Sequence, residues 1–288
     1  MTTAFITGAN SGIGRQAAVD LAAKGWQVFG GMRSLEKGEK LAAIAEAAGV
    51  SVTPVVCDVT NDQQVADAVA EVTAASGGID VMVNNAGVGG NGVLEDTPVE
   101  TYAEVMDVNL HGVIRCTQAV LPQMRERGSG CIVNISSIAG RVAAIAQSPY
   151  VASKWALEGL SEGLAQEVAP HGIRVAIVEP GIVKTAIMAK NTDAPHESGA
   201  YEAAYRRLFA FYAKGLATPG QPTEVADVIY DAATTNDPKL RWTCGWGGNE
   251  LIRRGEIDDA DWVALGAIED DAEYAARFLD LFGLDISA

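Results

Sequence analysis

Short runs rich in Val and Ile alternate along most of this chain with longer stretches whose apolar residues recur every three or four positions. The runs Thr3–Thr7, Gln27–Met32, 51–57, 79–84, Gly130–Ile135 and 174–179 have the length and β-branched content of buried strands. Between them, 12–24, 35–47, 61–76, 98–127 and 149–169 carry helical periodicity. Strict β/α alternation with short connections predicts an α/β fold, a parallel sheet covered by helices on both faces. Right-handed crossovers make it a doubly wound, Rossmann-like sheet, with ligands bound beyond the carboxyl ends of the strands.

The rhythm changes after Gly181. Residues 182–222 form a longer insertion in which Tyr201, Tyr205, Leu208, Phe209 and Tyr212 recur at helical spacing, as core packing residues do. A last strand is predicted over 239–243. A Gly-rich turn and a helical tail follow over 245–288, with Phe278, Leu279 and Phe282 expected to pack inward. No repeat, low-complexity tract or linker divides the chain, so 1–288 reads as a single domain.

At 288 residues the chain is long enough for a sizeable core, and 48% hydrophobic with 20% charged residues is a globular rather than a disordered composition. A net charge of −16 argues against nucleic-acid or anionic-membrane partners. Part of that charge lies in Glu256, Asp258, Asp259, Asp261, Glu269, Asp270, Asp271 and Glu273, a stretch without Lys or Arg that reads as a solvated face. Cys57, Cys116, Cys131 and Cys244 are scattered and form no C-x-x-C, which predicts buried free thiols and a cytoplasmic location. With His111, His171 and His196 as the only histidines and no Cys/His cluster, a zinc alcohol-dehydrogenase site is not expected. No signal-peptide layout and no apolar run of ~18 residues is present, so no membrane span is predicted.

The first strand opens into Thr7-Gly8-Ala9-Asn10-Ser11-Gly12-Ile13-Gly14. Glycines there let the backbone turn tightly and approach a pyrophosphate at a helix N-terminus. Arg33 ends the second strand, where an acid would bind the ribose of NAD and an Arg suits the 2′-phosphate of NADP. NADP(H) is therefore favoured, with NAD(H) and a merely solvated arginine as alternatives. Asp58 follows the third strand and Asn84-Asn85-Ala86-Gly87 the fourth, positions that suit either cofactor contact or turn formation. Tyr150 and Lys154 are four residues apart, on one face of a predicted helix, with Ser137 thirteen residues upstream. A cation one turn away favours a phenolate, and lowering a tyrosine from pH ~10 to ~7 takes roughly 4 kcal/mol. That would make Tyr150 a general acid/base for the proton of an alcohol.

Together the 7–14 loop, Asn84-Asn85-Ala86-Gly87, Asn109, Ser137, Tyr150, Lys154 and Pro180-Gly181 followed by Thr185 resemble the short-chain dehydrogenase/reductase family, in its order and spacing over about the first 190 residues. Within it the chain looks most like the 17β-hydroxysteroid and retinol dehydrogenase group, through 28–33, 106–130 and Thr185-Ala186. The resemblance implies an oxidoreductase interconverting a ketone or aldehyde and an alcohol. Tyr150 would exchange the proton, Lys154 would lower its pKa and hold the nicotinamide ribose, and Ser137 would orient the substrate oxygen. Asn109 would hold a relay water. Gly8, Asn10, Ser11, Gly12, Ile13 and Gly14 would cradle the cofactor. Arg33, Asp58, Val59, Asn85, Ala86 and Gly87 would flank its adenosine and ribose, and Pro180, Gly181, Val183 and Thr185 its nicotinamide.

The 182–222 insertion would cap a pocket for a bulky apolar substrate, with Arg206 and Arg207 solvent-exposed or facing an anionic group. A homodimer or homotetramer would form through 98–127 and 149–169. A nucleotide-sensing, non-catalytic relative is the alternative function, and an NAD(H)-dependent dehydrogenase of a small secondary alcohol is another. A serine hydrolase is not expected, because no G-x-S-x-G elbow is present.

Overall fold

The computed structural model describes residues 1–185, 187, 195 and 197–287. Its centre is one seven-stranded parallel sheet: β1 (Thr3–Thr7), β2 (Gln27–Met32), β3 (Val52–Val56), β4 (Val81–Asn84), β5 (Gly130–Ile135), β6 (Ile173–Pro180) and β7 (Arg241–Cys244). The strand order is β3-β2-β1-β4-β5-β6-β7. The order reverses between β1 and β4, where doubly wound sheets open a ligand crevice at the strand ends. Register carries this into residue positions: Thr7 pairs with Gly31, and Ile6 with Val83. The segments that follow β1, β2 and β4 therefore meet at one edge of the sheet.

Strand side chains alternate between two cores. Ala4, Ile6, Val83 and Val133 face α1 (Gly12–Ala23), where they pack with Ala17, Ala18 and Leu21. Phe5, Met82 and Ile132 face α3 (Asp62–Ser76) and α5 (Gly112–Arg127), meeting Val69, Val72, Val120 and Met124. Burial on both faces is why these strands read as continuous apolar runs.

The helices α2 (Glu39–Ala47), α4 (Val99–Met106) and α6 (Ser148–Val168) fall where periodicity placed them. The predicted 98–127 helix is interrupted by a π-helical turn at Asp107–His111. The helix α7 (Glu202–Ala217) lies in the insertion, whose residues 186, 188–194 and 196 fall outside the described set. A further helix, α8 (Pro222–Thr234), escaped the sequence reading although Val225, Ala226, Ile229 and Ala232 form a buried stripe beside α1. The last strand runs one to two residues later than expected.

The tail folds as α9 (Gly248–Leu251), α10 (Asp259–Ala267) and α11 (Asp271–Phe282). Tyr274, Phe278 and Phe282 recur at every fourth position and pack with Leu251, Leu265 and Ile138. Leu279 was expected inside but is 45% exposed, because it lies one residue off that stripe. In α7, Tyr205, Leu208 and Tyr212 pack inward as expected, whereas Phe209 is exposed. Arg207, expected in solvent or facing an anionic group, is not solvated but buried: its guanidinium bonds the Asp271 carboxylate and the carbonyls of Ile268 and Glu269, and stacks 4.2 Å over Tyr274. Arg206, by contrast, is exposed and pairs with Asp271 at 3.1 Å.

The acidic stretch is more than a solvated face. Asp258 and Asp270 cap α10 and α11, and Asp259 and Asp261 pair with Arg254 and Arg277. All four cysteines are buried and free. No described helix is long and apolar enough to cross a membrane.

Candidate active site

Gly8 and Gly12 adopt left-handed backbone angles, φ +67° and +53°, which let β1 turn sharply into α1. A Cβ on Gly14 would fall 2.3 Å from Asn85 Nδ2 and 2.8 Å from the Gly8 carbonyl, so this position needs glycine for close approach. The two segments are stitched together. Asn85 Nδ2 donates to the Thr7 carbonyl at 2.8 Å, and Thr7 Oγ1 accepts from the amides of Asn85 and Ala86, each at 3.0 Å. The Asn85 side chain thus holds the loop in shape. Asn84 is turned away into a buried ladder with Thr117 and Asn134.

Ser11 is the N-cap of α1, yet its hydroxyl makes no capping bond. Ser11, Gly12 and Ile13 line the crevice, so the uncapped start of α1 opens on it, an arrangement that receives phosphate oxygens. Thr185 stands over the same helix start, 3.4 Å from where a Gly12 Cβ would be. At the end of β6, a Cβ on Gly181 would strike the Trp246 carbonyl at 2.0 Å, so the Pro180-Gly181 turn is locked against the chain that follows β7. Asp58 accepts from Thr60 N and Thr60 Oγ1 at 3.0 and 2.8 Å, the turn-forming role available to it from sequence.

Ser137 follows β5 and caps a short 3-10 turn, accepting from Ala139 N at 3.1 Å. Its hydroxyl donates to the Pro180 carbonyl at 3.4 Å and stands close enough to the Tyr150 phenol to favour its anion. Lys154, 5% exposed, donates from Nζ to the Ile135 carbonyl at 2.9 Å and lies 5.6 Å from the Tyr150 ring centre. The π-helical turn carries Asn109, whose Oδ1 accepts from Val88 N at 2.8 Å. Its Nδ2 donates to the Val88 carbonyl and to Ser153 Oγ. Asn109 thereby ties the segment after β4 to α6, the helix that carries Tyr150 and Lys154.

The sequence led us to expect Lys154 to lower the Tyr150 pKa. In the protein the phenol is raised, because burial outweighs the Ser137 hydroxyl that opposes it. Lys154 is itself pushed down to about 8 by burial, against the pull of Glu158. Desolvation of both groups explains the reversal.

A continuous cleft of about 880 Å³ runs along the carboxyl ends of the strands. Gly8, Asn10, Ser11, Gly12, Ile13 and Arg33 line it, with Asp58, Val59, Asn85, Ala86 and Gly87 beside them. Ser137, Tyr150 and Lys154 stand near Pro180, Gly181, Val183 and Thr185 on the same cleft. Gly14 and Asn109 do not line it and act from behind. Arg33 is exposed and forms no ion pair among the described residues.

Two features of the cleft escaped the sequence reading. A side groove that shares Asn10, Ser11, Gly12 and Thr185 brings Arg15, Lys37, Lys40 and Lys184 together against Glu36 and Glu39, a cationic mouth on an acidic protein. The position of Arg15, directly after Gly14, was the available signal. At the other end, Leu208 and Phe211 of α7 and Trp262, Leu265, Tyr274 and Phe278 of the tail form an apolar wall. The helix N-terminus, unspent hydroxyl, glycine cradle and cationic mouth together fit a dinucleotide. Among the described residues no group of three or more His, Cys, Asp or Glu could hold a metal ion.

Residues 2–196 match the family described as short chain dehydrogenase. The uncharacterized oxidoreductase YusZ of Bacillus subtilis is 40% identical over 251 residues, covering 85% of this chain and 89% of that protein. Estradiol 17-beta-dehydrogenase 1 of Rattus norvegicus is 37% identical over 254 residues, covering 84% of this chain and 73% of that protein. An actinorhodin polyketide ketoreductase solved with NADPH superposes with a TM-score of 0.71 at 33% identity, covering 83% of this chain and 95% of that one. The chain belongs to the short-chain dehydrogenase family, and is an alcohol/carbonyl oxidoreductase with a steroid dehydrogenase among its relatives.

Proposed function

We propose that this short-chain dehydrogenase is an NADP(H)-dependent enzyme that interconverts a ketone or aldehyde and an alcohol on a bulky apolar substrate, with Tyr150 as general acid/base. The observation that carries the reading is that Ser137, Tyr150 and Lys154 come together on one cleft, with the ammonium 5.6 Å from the phenol ring, between a cationic mouth and an apolar wall. Ser137 and Tyr150 offer two hydroxyls to one substrate oxygen, which fixes its orientation and gives its proton a single route. Lys154 steadies negative charge developing on the phenol. Its bond to the Ile135 carbonyl holds the ammonium in place. Asn109 positions α6 against the segment after β4. When bound, the nicotinamide supplies or accepts the hydride and, when oxidised, adds positive charge beside the phenol.

The 7–14 loop and α1 would hold the pyrophosphate, Asp58, Val59 and Asn85 to Gly87 the adenosine side, and Pro180 to Thr185 the nicotinamide. Exposed Arg33 at the end of β2 favours a 2′-phosphate, and the ketoreductase solved with NADPH lends support. The similarity to an estradiol dehydrogenase agrees with the apolar wall. We read 1–288 as one domain in which α7 and the 245–288 tail cover the substrate. Val99, 77% exposed on α4, and Trp155, 50% exposed on α6, suit a homodimer or homotetramer built on those helices. Four free thiols fit a cytoplasmic location.

Replacing Tyr150 with Phe tests the assignment: turnover of any carbonyl substrate should vanish while NADPH binding, followed by fluorescence titration, stays intact. Retained turnover would refute it. Absence of turnover in the unmodified protein with NADPH and NADH across a panel of steroids, retinoids and small ketones would favour a non-catalytic nucleotide sensor.

A further inference from the structure

One turn beyond Lys154 on α6 stands Glu158, and on β6, just before Pro180, stands Glu179. They are 5% and 0% exposed. Both reach the same Arg241 nitrogen: Nε lies 3.0 Å from Glu158 Oε2 and 3.5 Å from Glu179 Oε1. Arg141 Nη1 approaches Glu179 Oε1 at 3.1 Å, and Arg241 Nη2 is taken by Glu162 at 2.8 Å. The second oxygen of each buried carboxylate, Glu158 Oε1 and Glu179 Oε2, finds no partner among the described residues, and neither does Ser136 Oγ. Gly140 gathers these groups. A Cβ there would fall 2.8 Å from Glu158 Cγ, 3.0 Å from Ser136 Oγ and 3.2 Å from the Lys154 carbonyl.

Two carboxylates that share one guanidinium edge away from water cannot both ionise cheaply, and a proton on one gives its unpartnered oxygen a donor to offer. We propose that Glu158 and Glu179 share one proton and act as a positioning pair that keeps Lys154 charged while Tyr150 works. The proposal rests on the reading that Lys154 assists Tyr150 as a cation.

The surrounding charges are consistent with it. Lys154 and Glu162 face the pair from α6, Arg141 from the segment after β5, and Arg241 from β7. Cys244 at the end of β7 is held as a thiol, pushed up to about 12 by burial and by Glu224 and Glu179. Glu179 is pushed up to about 7 by burial and by Glu158, against Arg141 and Arg241. The sign follows. Below about pH 7 the pair carries one negative charge. Above it the second charge appears on Glu179, while Glu158, one turn from Lys154, is the anion that opposes loss of the Lys154 proton near pH 8.

Infrared difference spectra of the whole protein between about pH 5 and pH 9 test the pair directly. The expected result is one protonated-carboxyl stretch that disappears around neutral pH in the unmodified protein and is missing in Glu179→Gln. In pH profiles of kcat, Glu158→Gln should move the alkaline limb to lower pH by about one unit, because an anion beside Lys154 is removed. Glu179→Gln should move it less. No titrating protonated carboxyl in the unmodified protein would overturn the proposal, whatever becomes of the variants. So would variants that lose kcat evenly at every pH. The spectra need no turnover, so a failure of the Tyr150 assignment would be read separately.

Discussion

Lys154 should destabilise the protein that depends on it. Burial takes its pKa from the ordinary 10.5 to about 8. At about 1.4 kcal/mol per pH unit, keeping the ammonium inside costs ~3 kcal/mol of folding free energy at neutral pH. The sign is set by a folded pKa below the unfolded one. The cost is complete below about pH 8, fades as pH rises toward 10.5, and has mostly gone by the upper end. Lys154→Met keeps the length of the stem and removes the charge. It forfeits the 2.9 Å bond to the Ile135 carbonyl, worth ~1 kcal/mol, and takes a cation from Glu158, which keeps Arg241. The variant should therefore be more stable than the parent by ~1–2 kcal/mol at pH 7, a rise of a few degrees in Tm, while losing turnover. Urea unfolding followed by tryptophan fluorescence at about pH 7 and pH 10 checks it, and the advantage should shrink below ~1 kcal/mol or vanish at the higher pH. A variant less stable at pH 7, or one whose advantage is the same at both, would refute the claim that desolvation of Lys154 is being measured.

Arg33→Gln should weaken NADPH binding about tenfold or more and leave NADH nearly unchanged, since a charge-assisted contact to phosphate is removed; titrations with both nucleotides decide, and equal weakening of the two would contradict the 2′-phosphate role. Phe278→Ala empties part of the wall shared by the tail core and the cleft, where the ring is 7% exposed. It should cost ~3 kcal/mol or more in denaturant unfolding and raise KM for bulky apolar substrates more than for small ketones. Equal effects on both substrate classes would argue against the wall as a substrate surface.

The β/α alternation was legible because a parallel sheet buried on both faces leaves continuous apolar runs, and site residues at strand ends inherit positions from that frame. The π-helical turn at Asp107–His111 was not legible, since five residues of altered hydrogen bonding leave the flanking periodicity intact. Nor was the difference between Arg206 and Arg207: adjacent helical residues point about 100° apart, and which one enters the core depends on where α11 docks. Leu279 was misplaced for the same reason.

The Tyr150–Lys154 pair marks the boundary most sharply. Spacing of four residues fixed their adjacency, and adjacency alone predicts a lowered phenol. In the folded protein the shift takes the opposite sign, because desolvation is set by non-local packing around both groups. Glu158 and Glu179 show the same dependence from the other side. They lie 21 positions apart and meet because α6 packs on β6, while β7, paired with β6, brings Arg241 to both. Local spacing tells which groups touch; the packing of distant segments decides which of them carry charge.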